Sequence, residues 1–311
     1  MKIKKILDEF EIEAPINSDF TIPEAALPKQ RVDGKILTKA GRHRCTVIYE
    51  TIEDQGRYGI IQACKRVEGP TTSTAVVKRP RSPSMSLTPE ALLQAVCHSC
   101  LEEEGLLGSI SKPYDLFLFA NEVRFTMEYI DGMSFKNFIA GHSESEIVNC
   151  IMQLSCILYI LESRLNFDHR DLRIENIWIR PLAVPQTYKI QIDGSNRQFE
   201  FKFQVVLLDF GFACLGDKAR RALVNLGDSV FSPIDPCPKS GRDMYQFLNS
   251  CFENGIEERL SPRFAAILKG WMKPYRVIPT ILTYVTTSDP KFKIGALNPI
   301  ELLRWFFSVK F

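Results

Sequence analysis

The sequence predicts an α+β protein with a mainly β first part and a mainly α second part. In the first part, short runs of β-branched and aromatic residues alternate with turns that contain glycine or proline. After an Asp-Gly pair at residues 131–132, apolar residues recur at helical spacing instead. We therefore predict two lobes that meet at this turn. The predicted divisions are an N-terminal extension at 1–44, a first lobe at 45–130 and a second lobe at 131–311.

The first lobe is predicted to hold a five-stranded sheet and one helix. The helix begins near Thr88, because threonine is a favoured N-cap residue and Pro89 suits the first helical position. Three of the strands precede this helix and two follow it. The predicted strands are 45–49, 58–64, 74–78, 116–120 and 123–129.

The second lobe is predicted to hold four helices and an added hairpin. The longest helix has apolar residues along one face. The hairpin is indicated by two strand-like runs on either side of an Asp-Gly turn at 193–194. The predicted helices are 145–165, 244–253, 262–271 and 300–307, and the predicted hairpin strands are 188–192 and 198–203.

Composition narrows the class of protein. Hydrophobic residues make up 45% of the 311 residues and charged residues 24%, which is ordinary for a globular chain able to bury a large core. The net charge of +2 gives no whole-chain attraction to nucleic acid or an anionic membrane. The sequence shows no signal-peptide pattern and no uninterrupted apolar run of about 18 residues. We expect a cytoplasmic or nuclear protein without membrane or direct nucleic-acid binding.

The cysteines are nine in number and scattered. Several, such as Cys156 and Cys214, stand in apolar stretches, which favours buried, reduced thiols in a reducing compartment. Cys97 and Cys100 have the spacing of a zinc-ligand pair, with His98 between them. No second pair with such spacing exists and the segment has a helical pattern, so structural zinc is the weaker alternative.

Two motifs in the second lobe carry chemistry. A His-Arg-Asp tripeptide at 169–171 directly follows the long helix, and Asn176 lies five residues after its aspartate. An Asp-Phe-Gly tripeptide at 209–211 follows an apolar strand. In this order and spacing the two resemble the catalytic loop and the metal-binding motif of protein kinases. The resemblance extends over about residues 47–252 and implies a bilobal protein-kinase-like fold that uses ATP and Mg²⁺.

The resemblance also implies roles for the loop residues. Asp171 would be the catalytic base that orients a substrate hydroxyl and accepts its proton. Asn176 and Asp209 would hold Mg²⁺, a hard cation that prefers oxygen ligands. Arg173 would reach toward the transferred phosphoryl group. Most serine/threonine kinases have lysine at that position and some tyrosine kinases have arginine, so the acceptor hydroxyl stays open, with Ser/Thr preferred.

The first lobe supplies the remaining parts of this resemblance. Lys78 would bind the α- and β-phosphates, and Glu90 would be its carboxylate partner, although a capping acid at a helix start is the alternative for Glu90. Gly56 and Gly59 would form a turn that covers the phosphates, or a simple hairpin turn; Asp54 replaces the first glycine of the family pattern.

The segment that links the lobes would form the adenine site. The backbone from Glu128 to Ile130 would bond adenine, with Met127 at the back of the pocket. The alternative is an ordinary buried strand that leads into a turn.

Departures from the usual pattern resemble the divergent haspin branch of kinases. They are the Phe-Asp before the His-Arg-Asp tripeptide, a long insert before Asp209, a missing Ala-Pro-Glu motif and a helix that begins near Asp243. In the family this helix aspartate anchors the backbone of the catalytic loop. The branch phosphorylates histone tails, so a histone or another basic protein is the implied protein substrate.

Two other functions compete with an active protein kinase. One is a pseudokinase scaffold and the other a kinase-fold phosphotransferase for small molecules. Regulation is also open: Arg170 beside a catalytic aspartate often marks activation by phosphorylation, here at Ser229 or Ser232. The proline-rich end of the same segment favours a fixed conformation instead.

Overall fold

The computed structural model describes residues 3–55, 59–82, 85–232, 234–239, 241–272 and 298–308, and for 51–55 it describes the backbone alone. The fold is mixed α+β, as predicted, and most of the described helices lie late in the chain, whereas strands occur in both halves. The chain divides into two compact units. The first comprises Met1–Ser99 and Ser111–Ile130, and the second comprises Cys100–Ile110 and Asp131–Phe311.

The described strands of the first unit form a closed barrel. They are β1 (Lys29–Gln30), β2 (Lys35–Leu37), β3 (His43–Gln55), β4 (Ile60–Glu68), β5 (Thr71–Arg79), β6 (Pro113–Phe119) and β7 (Glu122–Glu128). The order around the barrel is β1-β2-β3-β4-β5-β7-β6, and β1 runs parallel to β6. The predicted five-stranded sheet therefore lacked β1 and β2. With two and three residues, these strands are too short to show a period of two.

The barrel interior holds a small apolar core. Alternate residues of β5 face inward, so that Ala75 and Val77 are buried, as a strand period of two requires. Phe117 of β6 packs in the same cluster. The residues of this cluster are Ile36, Cys45, Val47, Cys64, Ala75, Val77 and Phe117.

A buried carboxylate ties the barrel strands together. Asp115 of β6 accepts hydrogen bonds from Arg44 (2.7 Å), from Arg66 (2.7 Å) and from the Thr126 hydroxyl (2.5 Å). Burial acts to raise the pKa of Asp115, but the bonds from Arg66 outweigh it and hold that pKa below its ordinary value.

The helices of the first unit are α1 (Ile3–Glu9) and α2 (Thr88–Glu103), and the latter begins within one residue of the predicted start. The buried apolar positions of α2 include Leu92, Leu93 and Val96, which explains why this helix packs on the sheet. Gln94 of α2 donates to the Ser111 carbonyl at 2.7 Å and so fixes the chain that enters β6.

The second unit is built around a long central helix. Its helices are α3 (Phe135–Gly141), α4 (Glu144–Leu165), α5 (Arg242–Glu253), α6 (Pro262–Met272) and α7 (Pro299–Ser308). A capping box between Ser143 and Glu146 starts α4, and Asn166 ends it in the left-handed conformation. In length and apolar composition α4 could cross a membrane, but 67% of its most apolar window is buried within the structure, as in a core helix.

Six strands of the described second unit form two small sheets. They are β8 (Met133–Ser134), β9 (Phe167–Asp168), β10 (Ile177–Ile192), β11 (Ser195–Leu207), β12 (Cys214–Gly216) and β13 (Ala222–Asn225). One sheet has the order β11-β10-β8 and the other β13-β12-β9.

The β10–β11 hairpin is the predicted insert, but it is longer than predicted. Its turn lies at Asp193 and Gly194, both with positive φ, as a two-residue hairpin turn of this type requires. Arg304 of α7 binds the Asp193 carboxylate at 2.7 Å and holds this tip. The edge of β11 is covered by α4, because Asn149 and Gln153 donate to its carbonyl groups at 2.8 and 2.7 Å.

The structure corrects one expectation about the cysteines. Cys214 forms a disulfide with Cys237, 23 residues later, whereas it was expected to be a reduced thiol. The sequence offered no means of pairing the two, because the chain must fold back through β13 to bring them together. Cys156 is a buried thiol outside the disulfide, as expected. Within the described ranges, no three His, Cys, Asp or Glu side chains form a metal-binding group.

Candidate active site

The predicted catalytic loop is held at its base by α5. Its segment leaves α4 and passes through β9, after which Arg170 adopts a φ of 65°, a conformation that is strained for a residue other than glycine. The buried Asp243 carboxylate accepts the backbone N–H groups of His169 at 2.7 Å and of Arg170 at 2.9 Å. These two bonds hold the strained backbone, and they place Asp243 where the resemblance implied an anchoring aspartate.

Asp171 is held by two neighbours in the same loop. The Asn176 amide donates to the Asp171 backbone carbonyl at 2.7 Å and to its carboxylate at 3.1 Å. The Arg173 guanidinium donates to the carboxylate at 3.0 Å, while its own side chain is half exposed. Burial raises the pKa of Asp171, and the charge of Arg173 opposes that rise. The carboxylate is thus oriented and more basic than an exposed aspartate.

Main-chain contacts hold Asp209 near the catalytic loop that carries Asp171 and Asn176. The Leu208 N–H donates to the Asn176 carbonyl at 3.0 Å, which ties the end of β11 to the catalytic loop. Asp209 has a φ of 57°, and its carboxylate accepts the Gly211 N–H at 3.4 Å. Its negative charge also contributes to the raised pKa of Asp171. The structure therefore brings Asp209 close to Asp171 and Asn176, two other predicted residues of the second unit.

His169 has an architectural place in this arrangement. Its Nε2 lies 3.0 Å from the Leu208 carbonyl, and its ring lies tilted against Phe210 at a centroid distance of 5.3 Å. Phe167 lies on the other side, 5.9 Å from Phe210. Burial lowers the pKa of His169, which favours a neutral ring packed against Phe167 and Phe210.

The first unit brings Lys78 and Glu90 together. Lys78 lies on β5 and its Nζ is 2.5 Å from Oε1 of Glu90, in the first turn of α2. Both side chains are about 5% exposed. A capping acid would face solvent beside the helix start, so the geometry favours the ion pair over that alternative.

Gly59 lies directly over the stem of this lysine. A Cβ built on Gly59 would stand 2.9 Å from the Lys78 Cε and 3.3 Å from the Arg79 carbonyl. Glycine is therefore needed here for close approach. Gly56 and the side chain of Asp54 lie outside the part of the chain that the structure describes.

The residues expected at the adenine site lie at the end of β7. Met127 is mostly buried and its sulfur lies 3.6 Å from the Gln94 amide. The Glu128 N–H donates to the Lys112 carbonyl at 2.9 Å, and the Glu128 carbonyl accepts the Ser111 hydroxyl at 2.9 Å. An adenine contact by Glu128 would therefore use its carbonyl oxygen, which can accept a second hydrogen bond. Ile130 follows the strand and is 8% exposed.

Sequence reasoning missed the charges around Arg170. The guanidinium of Arg170 donates to Asp235 at 3.0 Å, and that carboxylate also binds Arg242. Asp168 lies within 3.3 Å of Arg242. The sequence hints at these charges only through Asp235, which stands in a proline-rich stretch, and Arg242, which directly precedes Asp243.

Comparison with known proteins gives one informative similarity. No protein-family model matches the chain. The chain is 24% identical over 258 residues to "Probable kinase 098L" of Invertebrate iridescent virus 3. The match covers 77% of this chain and 47% of that protein, so the chain spans about half the length of the curated relative it matches.

Proposed function

We propose that this chain is an ATP- and magnesium-dependent protein kinase that transfers the γ-phosphoryl group of ATP to a Ser or Thr hydroxyl of a protein. The observation that carries the proposal is the convergence of Asp171, Asn176 and Asp209 within one loop system. The buried Lys78–Glu90 pair supports it from the first unit. The similarity to a viral protein named as a probable kinase supports it independently.

The donor atoms fit a magnesium ion. The Asn176 amide nitrogen is directed at Asp171, so its amide oxygen is the end that a cation would meet. With the Asp209 carboxylate this makes an all-oxygen donor set, which suits a hard cation. When bound, Mg²⁺ would neutralise charge on the phosphate oxygens. Asn176 and Asp209 would hold it, and Lys78 would bind the α- and β-phosphates.

Asp171 acts as the catalytic base in the proposed reaction. The hydroxyl oxygen of the substrate forms a bond to the γ-phosphorus, and the bond from that phosphorus to the leaving oxygen of ADP breaks. The hydroxyl proton passes to the Asp171 carboxylate, whose raised pKa makes it a better acceptor. Arg173 donates to this carboxylate, and in the proposed reaction it would also reach toward the transferred phosphoryl group.

The proposal includes a bilobal protein-kinase-like fold that resembles the haspin branch, with lobes at 45–130 and 131–311. The long hairpin inserted before Asp209 supports that resemblance, as do the two bonds from the loop backbone to Asp243. A histone or another basic protein is the proposed substrate, in the cytoplasm or the nucleus. The described segment after Asp209 exposes Lys218, Arg220 and Arg221, so acidic substrates belong in the same test.

Transfer of radiolabelled phosphate from ATP tests this function. The panel contains histones, casein, a tyrosine polymer and small amino-alcohols. We expect labelled Ser or Thr in a protein, and we expect Asp171→Asn to lower the rate at least about 100-fold while MgATP still binds. The matched control is Glu175→Gln, an exposed acid of the same loop, which should keep wild-type activity.

Each competing function predicts a different result. Labelling of an amino-alcohol alone would favour a small-molecule phosphotransferase. ATP binding without transfer to any acceptor would favour a pseudokinase scaffold. Full activity in Asp171→Asn would refute the role of Asp171.

A further inference from the structure

The side chain of Arg170 is enclosed by the segment that follows the Asp-Phe-Gly motif. It is fully buried, with 0% of its side chain exposed. One guanidinium nitrogen donates to the Asn225 side chain at 2.5 Å and another to the Asp235 carboxylate at 3.0 Å. The guanidinium carbon lies 4.6 Å from the centroid of the Phe231 ring. Three residues of one segment, all outside the catalytic loop, therefore hold this side chain.

A second buried arginine shares the same carboxylate. Arg242, at the start of α5, donates to both oxygens of Asp235 at 2.8 and 2.7 Å and is itself fully buried. Its guanidinium carbon lies 5.2 Å from the Phe231 centroid, so Phe231 contacts both arginines. Asp235 thus bridges the catalytic loop to the helix that carries Asp243.

Asp168 and Asp235 both supply negative charge near the buried Arg170, and Asp235 accepts a hydrogen bond from its guanidinium. Burial lowers the pKa of Arg170, which means that this cation depends on nearby negative charge to remain buried. Burial and the nearby Arg242 lower the pKa of Lys239 to about 8, as expected in a region rich in positive charge. The other carboxylates here are already engaged: Asp168 faces Arg242 and the Lys239 N–H, and Asp243 accepts the loop N–H groups.

The buried guanidinium is shielded from the two serines considered as phosphorylation sites. Ser229 and Ser232 are both exposed, and the buried Phe231 covers Arg170. A phosphate on either serine would reach Arg170 only if Phe231 moved away. The internal Asp235 carboxylate already occupies the place where a phosphate would bind this arginine.

We propose that Asp235 is a positioning residue for Asp171 and acts through Arg170. Its carboxylate, which needs no modification to carry charge, binds both arginines and holds the catalytic loop in the arrangement seen here, so that activity needs no phosphate on Ser229 or Ser232. This inference rests on the proposed kinase function, because it assigns Asp171 to the reaction.

The first test compares Asp235→Asn with two other variants. Asp235→Asn keeps the shape but removes the charge, and we expect kcat to fall about 100-fold with little change in the KM for ATP. Asn225→Ala keeps the charge and removes one neutral acceptor, so we expect a fall of only a few-fold. Asp228→Asn, an exposed acid of the same segment, should behave as wild type. Equal kcat in Asp235→Asn and wild type would overturn the proposal.

A rescue distinguishes positioning from general loss of stability. In Asp235→Asn combined with Arg170→Met, the buried charge that lacks its counter-ion is itself removed. We expect kcat of the double variant to exceed that of Asp235→Asn at least several-fold. A double variant that is no more active than Asp235→Asn would contradict the proposed action through Arg170.

The second test removes phosphate. Protein treated with phosphatase, and the variant Ser229→Ala with Ser232→Ala, should each keep wild-type kcat. Loss of activity in either one would overturn the proposal. This test uses folded protein with Asp235 in place, so it stays decisive even if Asp235→Asn fails to fold.

Hydrogen exchange separates this inference from the proposed function itself. The amides of His169 and Arg170 are bonded to Asp243, and we expect peptides over 167–176 to exchange at least 10-fold faster in Asp235→Asn. Unchanged exchange there would refute the role of Asp235, whatever the activity. Faster exchange in Asp235→Asn, found together with a wild-type protein that transfers no phosphate, would support the positioning contact while the kinase function failed.

Discussion

Replacing Glu90 by Gln removes the negative charge from a buried ion pair. The Lys78 Nζ lies 2.5 Å from the Glu90 carboxylate, and both side chains are about 5% exposed. Removal of one partner from a buried pair costs about 3–5 kcal/mol, because the remaining charge stays in a medium of low dielectric constant. We expect Glu90→Gln to lower the free energy of unfolding by about 3 kcal/mol.

Replacing both partners should separate stability from function. Lys78→Met with Glu90→Leu substitutes apolar groups of similar volume, and such replacements of a buried pair are often neutral. We expect its free energy of unfolding to lie within about 1 kcal/mol of wild type, well above the sum of the single variants. MgATP binding should nevertheless be lost, because the proposed phosphate ligand is gone.

Urea unfolding followed by far-ultraviolet circular dichroism measures these differences. Tryptophan fluorescence is less suitable, since Trp178, Trp271 and Trp305 all belong to the second unit. The matched control is Glu102→Gln, an exposed acid of the same helix, which should change stability by less than about 0.5 kcal/mol. A cost below about 1 kcal/mol for Glu90→Gln, or a double variant as unstable as the sum of the singles, would refute this reasoning.

Three further predictions concern stability and nucleotide binding. Bonds from Arg66 hold the pKa of Asp115 below its ordinary value of 3.8, so the stability that this carboxylate contributes is present above about pH 4 and is lost as the pH falls below it. Urea midpoints measured from pH 6 to pH 2 should show this loss. If they do not, the contact between Asp115 and Arg66 does not stabilise the fold. The disulfide closes a loop with a sequence separation of 23, so Cys237→Ser should lower the free energy of unfolding by about 3 kcal/mol, and dithiothreitol should then have no further effect. Gly59→Ala should weaken MgATP binding about 10-fold, because its Cβ would displace the buried Lys78 side chain. The control Gly141→Ala, whose Cβ would have no atom within 4 Å, should bind MgATP as wild type does. Equal affinities of the two variants would show that close approach at Gly59 is unimportant.

Elements with a strong local pattern were predicted correctly. The helix at Thr88 begins within one residue of the predicted start, with Thr88 as its first residue instead of its N-cap, and the hairpin turn lies at the Asp-Gly pair. The same reasoning failed for β1 and β2, since strands of two and three residues carry no detectable period. It also gave the hairpin too short a length, because the register shift between Pro181 and Gln186 interrupts the alternation.

The candidate site was predicted only where its residues form motifs. Asp171, Asn176 and Asp209 follow the order of a known family, and the structure brings them together. Glu90 was the least certain of the predicted site residues, since a first-turn acid suits a helix start for other reasons. Its contact with Lys78 depends on how α2 packs against β5, which a short local segment does not determine.

Local patterns in the sequence are enough to predict the longer strands and helices, because periodicity acts between near neighbours. The closure of the barrel by β1 and β6, the Cys214–Cys237 bond and the contact of Arg170 with Asp235 were decided by tertiary structure alone. Arg170 and Asp235 lie 65 residues apart, and only the folding of β12 and β13 against β9 brings that carboxylate to the buried guanidinium. A buried charge needs a counter-ion, but which one it meets depends on packing between distant segments.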